Sequence, residues 1–329
     1  MNKIVKTLLL GCVSLTAVQA QSKDDMEKTF VMSLSKTINV PLGNVWHAWS
    51  DSSLIKQWWG PEGFTAPLAE VNFSEGGASV VCMRSQDGFE IYNSWTYTRI
   101  LPMYSIEFVQ HFVDRERNKL NPASIGLPPG IPDGVPHLIR FEDLGNENTR
   151  ITVTETGYSS QQTVEISRIG MQQCLDKMEG LLVKQNSEHS GNAVNKQITL
   201  NSSSEKVWDV ITNPEKIKHW FSGANAESEW KEGSLVSFSG EWNGNEYEDK
   251  GIIMQVIPQK IIQFSYWSTF SGLPDKPENY SIVTFRIEGK GNTTILALSQ
   301  TNFAASSMYE YLDKNWEASL SIIKLLSEE

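Results

Sequence analysis

Residues 45–61 read "VWHAWSDSSLIKQWWGP", and residues 207–223 read "VWDVITNPEKIKHWFSG". Both open on Val-Trp, carry Ser-Asp or Thr-Asn shortly after, and end on a tryptophan followed by a second aromatic. The correspondence continues beyond these segments. Trp46 matches Trp208 at an offset of 162, Glu75-Gly76 matches Glu232-Gly233 at 157, and Pro102 matches Pro258 at 156. Phe141 matches Phe285 at 144, and Thr156 and Met171 match Thr301 and Trp316 at 145. Offsets that drift slowly describe one unit written twice, with the length differences confined to loops. The largest change falls where the first copy holds the Pro-rich stretch 115–136 and the second only "SGLPDKPEN".

A chain of 329 residues suits two such units. The expected boundaries are a signal peptide over 1–20, a first domain over 27–186, a linker over 187–193 and a second domain over 194–329. The start has Lys3 and Lys6, then the apolar "TLLLGCVSLTAV", then small residues at the cleavage positions of "VQA". That pattern is a secretory signal, and the run is too short for a spanning helix. It predicts an exported protein, periplasmic or secreted. The alternative uses "LLGC" as a lipoprotein box with Cys12 acylated, although the apolar region before Cys12 is short for that purpose.

Removing residues 1–20 takes two lysines from the 28 basic residues and none of the 39 acidic ones. The remaining excess of acid disfavours nucleic acid, since no basic cluster is available to neutralise phosphates. Of three cysteines, Cys82 and Cys174 stay in the mature chain. An oxidising compartment allows them to pair; the other reading is two buried thiols acting as small apolar side chains.

Each unit predicts the same elements. An opening strand (29–40 or 195–200) precedes a helix (41–49 or 203–211) and a second short helix. Asp51 and Asn213 stand at the N-cap position of that second helix, with Pro214 at its first helical residue. Ile217, Trp220 and Phe221 fall at i, i+3 and i+4, one apolar face. Several strands follow, separated by turns such as "SEGGAS", "LGNEN", "WNGNE" and "GKGN". Ile139 and Phe141 share a face, as do Val283, Phe285 and Ile287. In the last strand Ile151, Val153 and Glu155, or Leu296, Leu298 and Gln300, do the same. A long helix closes each unit: Met171, Cys174, Leu175, Met178, Leu181 and Leu182 repeat at helical spacing, as do Leu312, Trp316, Leu320, Ile323 and Leu326. A one-sided helix needs a sheet to lie on, which makes each unit α+β.

The pattern Trp46, Ser50-Asp51, Trp58-Trp59-Gly60-Pro61, then "TRITVTETGY" and a final helix, resembles the family named after the activator of the heat-shock protein 90 ATPase. In the second copy the resemblance lies in "VWDVITNPEKIKHWF", "GIIMQVIPQKIIQFSYW", "TTILALSQTNF" and "NWEASLSIIKLL". It covers almost the whole mature chain. It implies two tandem helix-grip domains of the START and birch-pollen-allergen type (the SRPBCC superfamily), each a curved antiparallel sheet wrapped around its C-terminal helix, with two short capping helices. Such domains commonly enclose an apolar cavity. The first copy departs from the pattern at Gly170-Met171, where the second has Asn315-Trp316, and in its Pro-rich insertion.

The resemblance directs attention to the residues of the caps and inner sheet. Trp46, Trp58, Trp59, Trp208, Trp220 and Phe221 fill the core or line a pocket for an apolar ligand or lipid. Glu155 and Gln300 occupy equivalent inner positions. A carboxyl facing a cavity is a candidate acid or base, so Glu155 is the one catalytic candidate; a solvated or structurally bonded Glu155 is the simpler reading. The five histidines show no metal-binding spacing, although His111 and His137 could face each other across strands. No metal or cofactor is expected. "GKGNTT" reads as a hairpin turn and not a nucleotide fingerprint. The Pro-rich stretch reads as a surface loop, or as a lid. The expected role is non-catalytic binding of a small hydrophobic molecule or a protein partner. Its alternatives are a cyclase- or aromatase-like enzyme using Glu155, and a chaperone-cofactor module.

Overall fold

The computed structural model describes residues 29–186 and 192–329; the expected signal peptide and most of the expected linker lie outside the described residues. The first unit runs β1 (Phe30–Ile38), α1 (Leu42–Ser50), α2 (Ser52–Trp58), β2 (Phe64–Glu70), β3 (Ala78–Ser85), β4 (Glu90–Leu101), β5 (Ser105–Val113), β6 (Gly134–Gly145), β7 (Asn148–Tyr158) and α3 (Gln161–Asn186). The second runs β8 (Val194–Leu200), α4 (Ser204–Thr212), α5 (Pro214–Trp220), β9 (Asn225–Ser228), β10 (Leu235–Trp242), β11 (Asn245–Ile257), β12 (Ile261–Tyr266), β13 (Ser281–Lys290), β14 (Thr293–Thr301) and α6 (Ser306–Glu328). Each unit forms a seven-stranded sheet, ordered β1-β7-β6-β5-β4-β3-β2 and β8-β14-β13-β12-β11-β10-β9. The two orders are the same, so the expected pair of tandem α+β domains is what the chain forms. No helix among the described residues is long and apolar enough to cross a membrane.

Alternation sets the inner face of each sheet. Ile151, Val153 and Glu155 of β7 are buried, as are Leu296, Leu298 and Gln300 of β14. The long helices lie against these faces through Met171, Cys174, Leu175, Met178 and Leu182, and through Trp316, Leu320 and Ile323. Each fully buried side chain of this kind contributes roughly 1.5–3 kcal/mol before ordering entropy is subtracted. The short helices are capped as the sequence predicts. The Asp51 carboxylate accepts from Ser53 N at 2.8 Å and Leu54 N at 2.9 Å, and the Asn213 side chain accepts from Glu215 N at 3.1 Å.

The repeated tryptophan has a definite task. The Trp58 indole donates to Ala48 O at 2.8 Å, and the Trp220 indole donates to Val210 O at 2.9 Å. In both copies the second short helix thereby supplies a donor to a carbonyl near the end of the first, a group the helix itself leaves unpaired.

Strand pairing corrects one detail of the internal repeat. Thr149 donates to Val40 O at 2.8 Å and Thr294 to Ser202 O at 2.7 Å, which makes these threonines equivalent, 145 residues apart. Val153 pairs with Ile139, and Leu298 with Phe285. The counterpart of Phe285 is therefore Ile139, and Phe141 corresponds to Ile287. A slip of two residues keeps every side chain on its own face, so the hydrophobic pattern alone does not reveal it.

The units are not independent cups. Ile252 and Met254 of β11, Gln263 and Ser265 of β12, and Ile282 and Thr284 of β13 point to the outer face of the second sheet, and all are buried. The apolar members of that face join the core cluster of the first unit, with Met103 and Tyr104. Gln263 Nε2 donates to Asp143 Oδ2 at 2.8 Å across the boundary, and Arg140, its guanidinium 3.4 Å from the Tyr104 ring centre, ion-pairs with Glu232 at 3.6 Å.

Gly43 marks the tightest point of this contact. A Cβ built there would stand 1.9 Å from Asn302 Oδ1. Gly43→Ala is expected to lower stability by about 1–3 kcal/mol, the usual range for overpacking. Asn302 has φ 60°, so glycine fits its backbone, and Asn302→Gly removes the colliding atoms. Thermal or urea unfolding of the two single variants and the double variant checks this: Gly43→Ala should be markedly less harmful when Asn302→Gly is present.

Candidate functional site

The inner face of the first sheet carries an unusual density of aromatic and polar groups. β4 alternates Ile91, Asn93, Trp95 and Tyr97, all buried. α1 contributes Trp46 and Trp49, one turn apart, and α2 with its C-cap contributes Trp58 and Trp59. Trp49 lies 4.9 Å from Trp58 and 6.2 Å from Trp95, and Trp59 lies 4.7 Å from Trp95 in edge geometry. Trp95 stacks on Phe108 at 5.2 Å, and Phe108 stacks on His137 at 4.6 Å. A continuous line of rings thus runs from the short helices to the far end of β6.

At that end stands Glu155, 2% exposed. Its Oε1 lies 3.2 Å from His137 Nε2. Its Oε2 accepts from Ser167 at 2.5 Å and from the Tyr158 hydroxyl. The other ring nitrogen of His137 is 2.9 Å from Val135 O and so carries a proton. Each ring nitrogen of His137 thus faces an oxygen, Val135 O on one side and Glu155 Oε1 on the other. Burial alone pushes the Glu155 carboxyl up; His137, with the hydrogen bonds from His137, Ser167 and Tyr158, outweighs burial and leaves it below the usual carboxylate range. The Tyr158 hydroxyl is pushed well up by burial and by Glu155.

His111 does not face His137. On β5, Phe108 is the residue opposite His137, while His111 lies opposite Gly134 and turns to the other face, where Nε2 meets Lys119 Nζ at 2.9 Å. The odd spacing from Phe108 to His111 accounts for this. The Pro-rich stretch packs beside the same end of the unit. It holds a short 3-10 turn (Pro122–Ile125), Thr163 donates to Pro129 O at 2.8 Å, and Ser159 N donates to Gly130 O at 3.0 Å.

The second unit resolves the equivalent positions differently. Gln300, fully buried, accepts from the Trp316 indole at 2.7 Å and donates to Ser281 at 2.9 Å. Trp220 is buried and bonded as described, and Trp208 and Phe221 are half-buried against the second core. Phe221 meets Phe238 at 4.8 Å and stacks on Trp316 at 6.3 Å. Trp46 is fully buried between Phe73 and Phe141.

The contrast lies in what remains unpaired. The indole nitrogens of Trp46, Trp49, Trp59 and Trp95, and both carboxamide atoms of Asn93, are buried without a hydrogen-bond partner. In the second unit the only such atoms among the described residues are the Ser202 and Ser327 hydroxyls. The sequence reading does not single out Asn93, Trp49, Trp95, Tyr158 or Ser167, and it sets His137 against His111 where the structure sets it against Glu155. The signals were present: a polar residue at an inner position of β4, and Trp49 one turn from Trp46. The two thiols are free and buried; burial raises both, that of Cys174 to about 12. No group of three metal-ligating side chains lies together among the described residues.

A family model described as Activator of Hsp90 ATPase homolog 1-like protein matches twice, over residues 39–183 and 201–328. Among solved structures the chain is similar to a protein from Cytophaga hutchinsonii at 36% identity, over 40% of this chain and 90% of that one, with TM-score 0.36. It is similar to the AHSA1 protein from Silicibacter pomeroyi at 19% identity, over 49% and 100% of the two chains, with TM-score 0.39. A protein from Staphylococcus epidermidis matches at 21% identity, over 50% and 94%, with TM-score 0.40. No curated protein matches.

The Glu155 shell makes a prediction about acid. A carboxyl held below its ordinary value of 4.5 stabilises the fold above that pH, and the contribution is lost as pH falls through the lower, folded value. Glu155→Gln leaves His137 facing an amide and should cost about 3–5 kcal/mol at neutral pH, the range for breaking a buried pair. Urea unfolding at neutral pH and below pH 4.5 should also show a flatter acid dependence in the variant than in the parent.

Proposed function

The chain belongs to the Activator of Hsp90 ATPase homolog 1-like family, one copy in each half, and from that premise we propose that it is an exported, non-catalytic protein whose first unit binds a small, largely apolar ligand. The observation that carries this reading is the cluster of unpaired polar atoms among the rings of Trp49, Trp59, Trp95 and the Asn93 carboxamide. A buried donor or acceptor left without a partner costs about 1–3 kcal/mol. A cluster of them within an aromatic interior favours an occupant that brings acceptor atoms on a flat apolar body. Aromatic walls with a few fixed polar groups are the usual composition of such sites.

The second unit spends its equivalent polar groups internally, through Trp316, Gln300 and Ser281. It therefore acts chiefly as the partner that covers the first. Binding is favoured over catalysis by the state of Glu155: one oxygen faces His137 and the other already takes two hydroxyl donors. Neither oxygen is left to exchange a proton with a ligand. Export rests on the basic, then apolar, start and the small residues before Gln21. An exported protein does not meet a cytosolic chaperone, which counts against the chaperone-cofactor role.

Native mass spectrometry of the protein purified from its own host should show a bound molecule released on denaturation. Fluorescence titration with 8-anilinonaphthalene-1-sulfonate provides a flat aromatic probe. Trp95→Phe keeps the ring stack and removes one unpaired donor, so probe affinity should fall roughly tenfold while stability changes little. An unchanged affinity in Trp95→Phe, together with an unliganded native mass, would sink the reading. Cell fractionation should recover a mature chain beginning at Gln21.

A further inference from the structure

Between the two units lies a cleft of about 1230 Å³. One wall is the outer face of the second sheet, where Asn195, Ser299 and Thr284 form one cross-strand row and Gln197, Ala297 and Arg286 the next. The opposite wall belongs to the first unit and includes Asn44 of α1 and Asn186 at the end of α3. Phe303, held edge-on by Tyr309 at 5.7 Å, also lines the space. Most charged groups of the lining are committed: Asp143 to Gln263 and Gly145 N, Glu147 to Asn186, and Lys196 to Asp313 and Glu317. Arg286 is exposed, and its guanidinium has no hydrogen-bond or ion-pair partner among the described residues.

We propose that this cleft is a second binding site, distinct from the interior of the first unit, for a polyhydroxylated ligand bearing one anionic group, of the class of a uronic acid or a sugar phosphate. Carboxamides both donate and accept, which matches hydroxyl groups that do the same. The free guanidinium fork of Arg286 matches a carboxylate or phosphate. Phe303 supplies a ring for the C–H face of a sugar. A peptide is the weaker fit, because strand addition needs a sheet edge and the second sheet presents side chains of its face here. The position between two units that are locked together is one where pockets commonly form.

Isothermal titration of the full chain with glucuronate, glucose 6-phosphate and glucose tests this without involving the interior site. Either anionic sugar should bind at least roughly tenfold more tightly than glucose, the increment of a charge-assisted pair. Whichever arm is stronger identifies the anion. Arg286→Gln, on an exposed side chain, should abolish that difference and leave both glucose binding and the unfolding midpoint unchanged. The proposal fails if neither anionic sugar exceeds glucose, if their advantage survives in Arg286→Gln, or if triglycine binds in preference to them. Loss of this site with retained probe binding in the first unit would overturn this inference alone.

Discussion

An indole N–H aimed at a carbonyl ten residues earlier holds each pair of short helices together, and the architecture of both units depends on it. Trp58 and Trp220 make this bond to Ala48 and Val210. The bond consumes a carbonyl that the end of a helix would otherwise leave unpaired in a dry interior. It fixes the angle between the helices, and with it the direction in which the neighbouring aromatics point. In the first unit those neighbours are Trp49 and Trp59, and in the second Phe221. The tryptophan repeats because its geometric task repeats.

The same frame then permits two chemically different interiors. At the inner end of the last strand one unit has a carboxylate and the other an amide, each fully buried. The amide is satisfied by neutral partners, Trp316 and Ser281. The carboxylate has more acceptor capacity to satisfy, and its unit surrounds it with His137, Tyr158 and Ser167. Met171 stands at the sequence position matching Trp316, so the first long helix offers no indole donor there. The donor comes instead from Ser167, one turn earlier. Substitution at one helical position is thus matched by a different set of partners at the strand it faces.

Much of this was legible in the sequence because the signals are local or periodic. Asp51 and Asn213 announced two N-caps, alternation placed Glu155 and Gln300 inside, and the 3–4 spacing named the buried face of each long helix. The pairing of His137 with Glu155 was also within reach. Both residues lie on the inner parity of their strands, and a tight turn at "LGNEN" sets them about opposite each other. The two-residue error between Phe141 and Phe285 arose because apolar parity is blind to even slips. The unpaired donors could not be read at all. Whether an indole nitrogen finds an acceptor depends on how its ring is tilted among the neighbouring rings, a property of packing and not of order along the chain.

Least legible was the joining of the units, since it depends on contacts between residues as distant as Met103 and Asn302. Yet it explains a feature that a single helix-grip domain would make anomalous. Outer faces of antiparallel sheets are ordinarily polar toward water, whereas Ile252, Met254 and Ile282 stand on the outer face of the second sheet. They are tolerated because the first unit covers them, and the polar groups among them, Gln263 and Thr284, bond to each other and to Asp143. Where that cover ends, the outer face turns to Arg286, Asn195 and Gln197. The change from apolar to polar across a few residues of β13 marks the edge of the interface, and it places the cleft where a fixed relative position of the two units is already secured by packing.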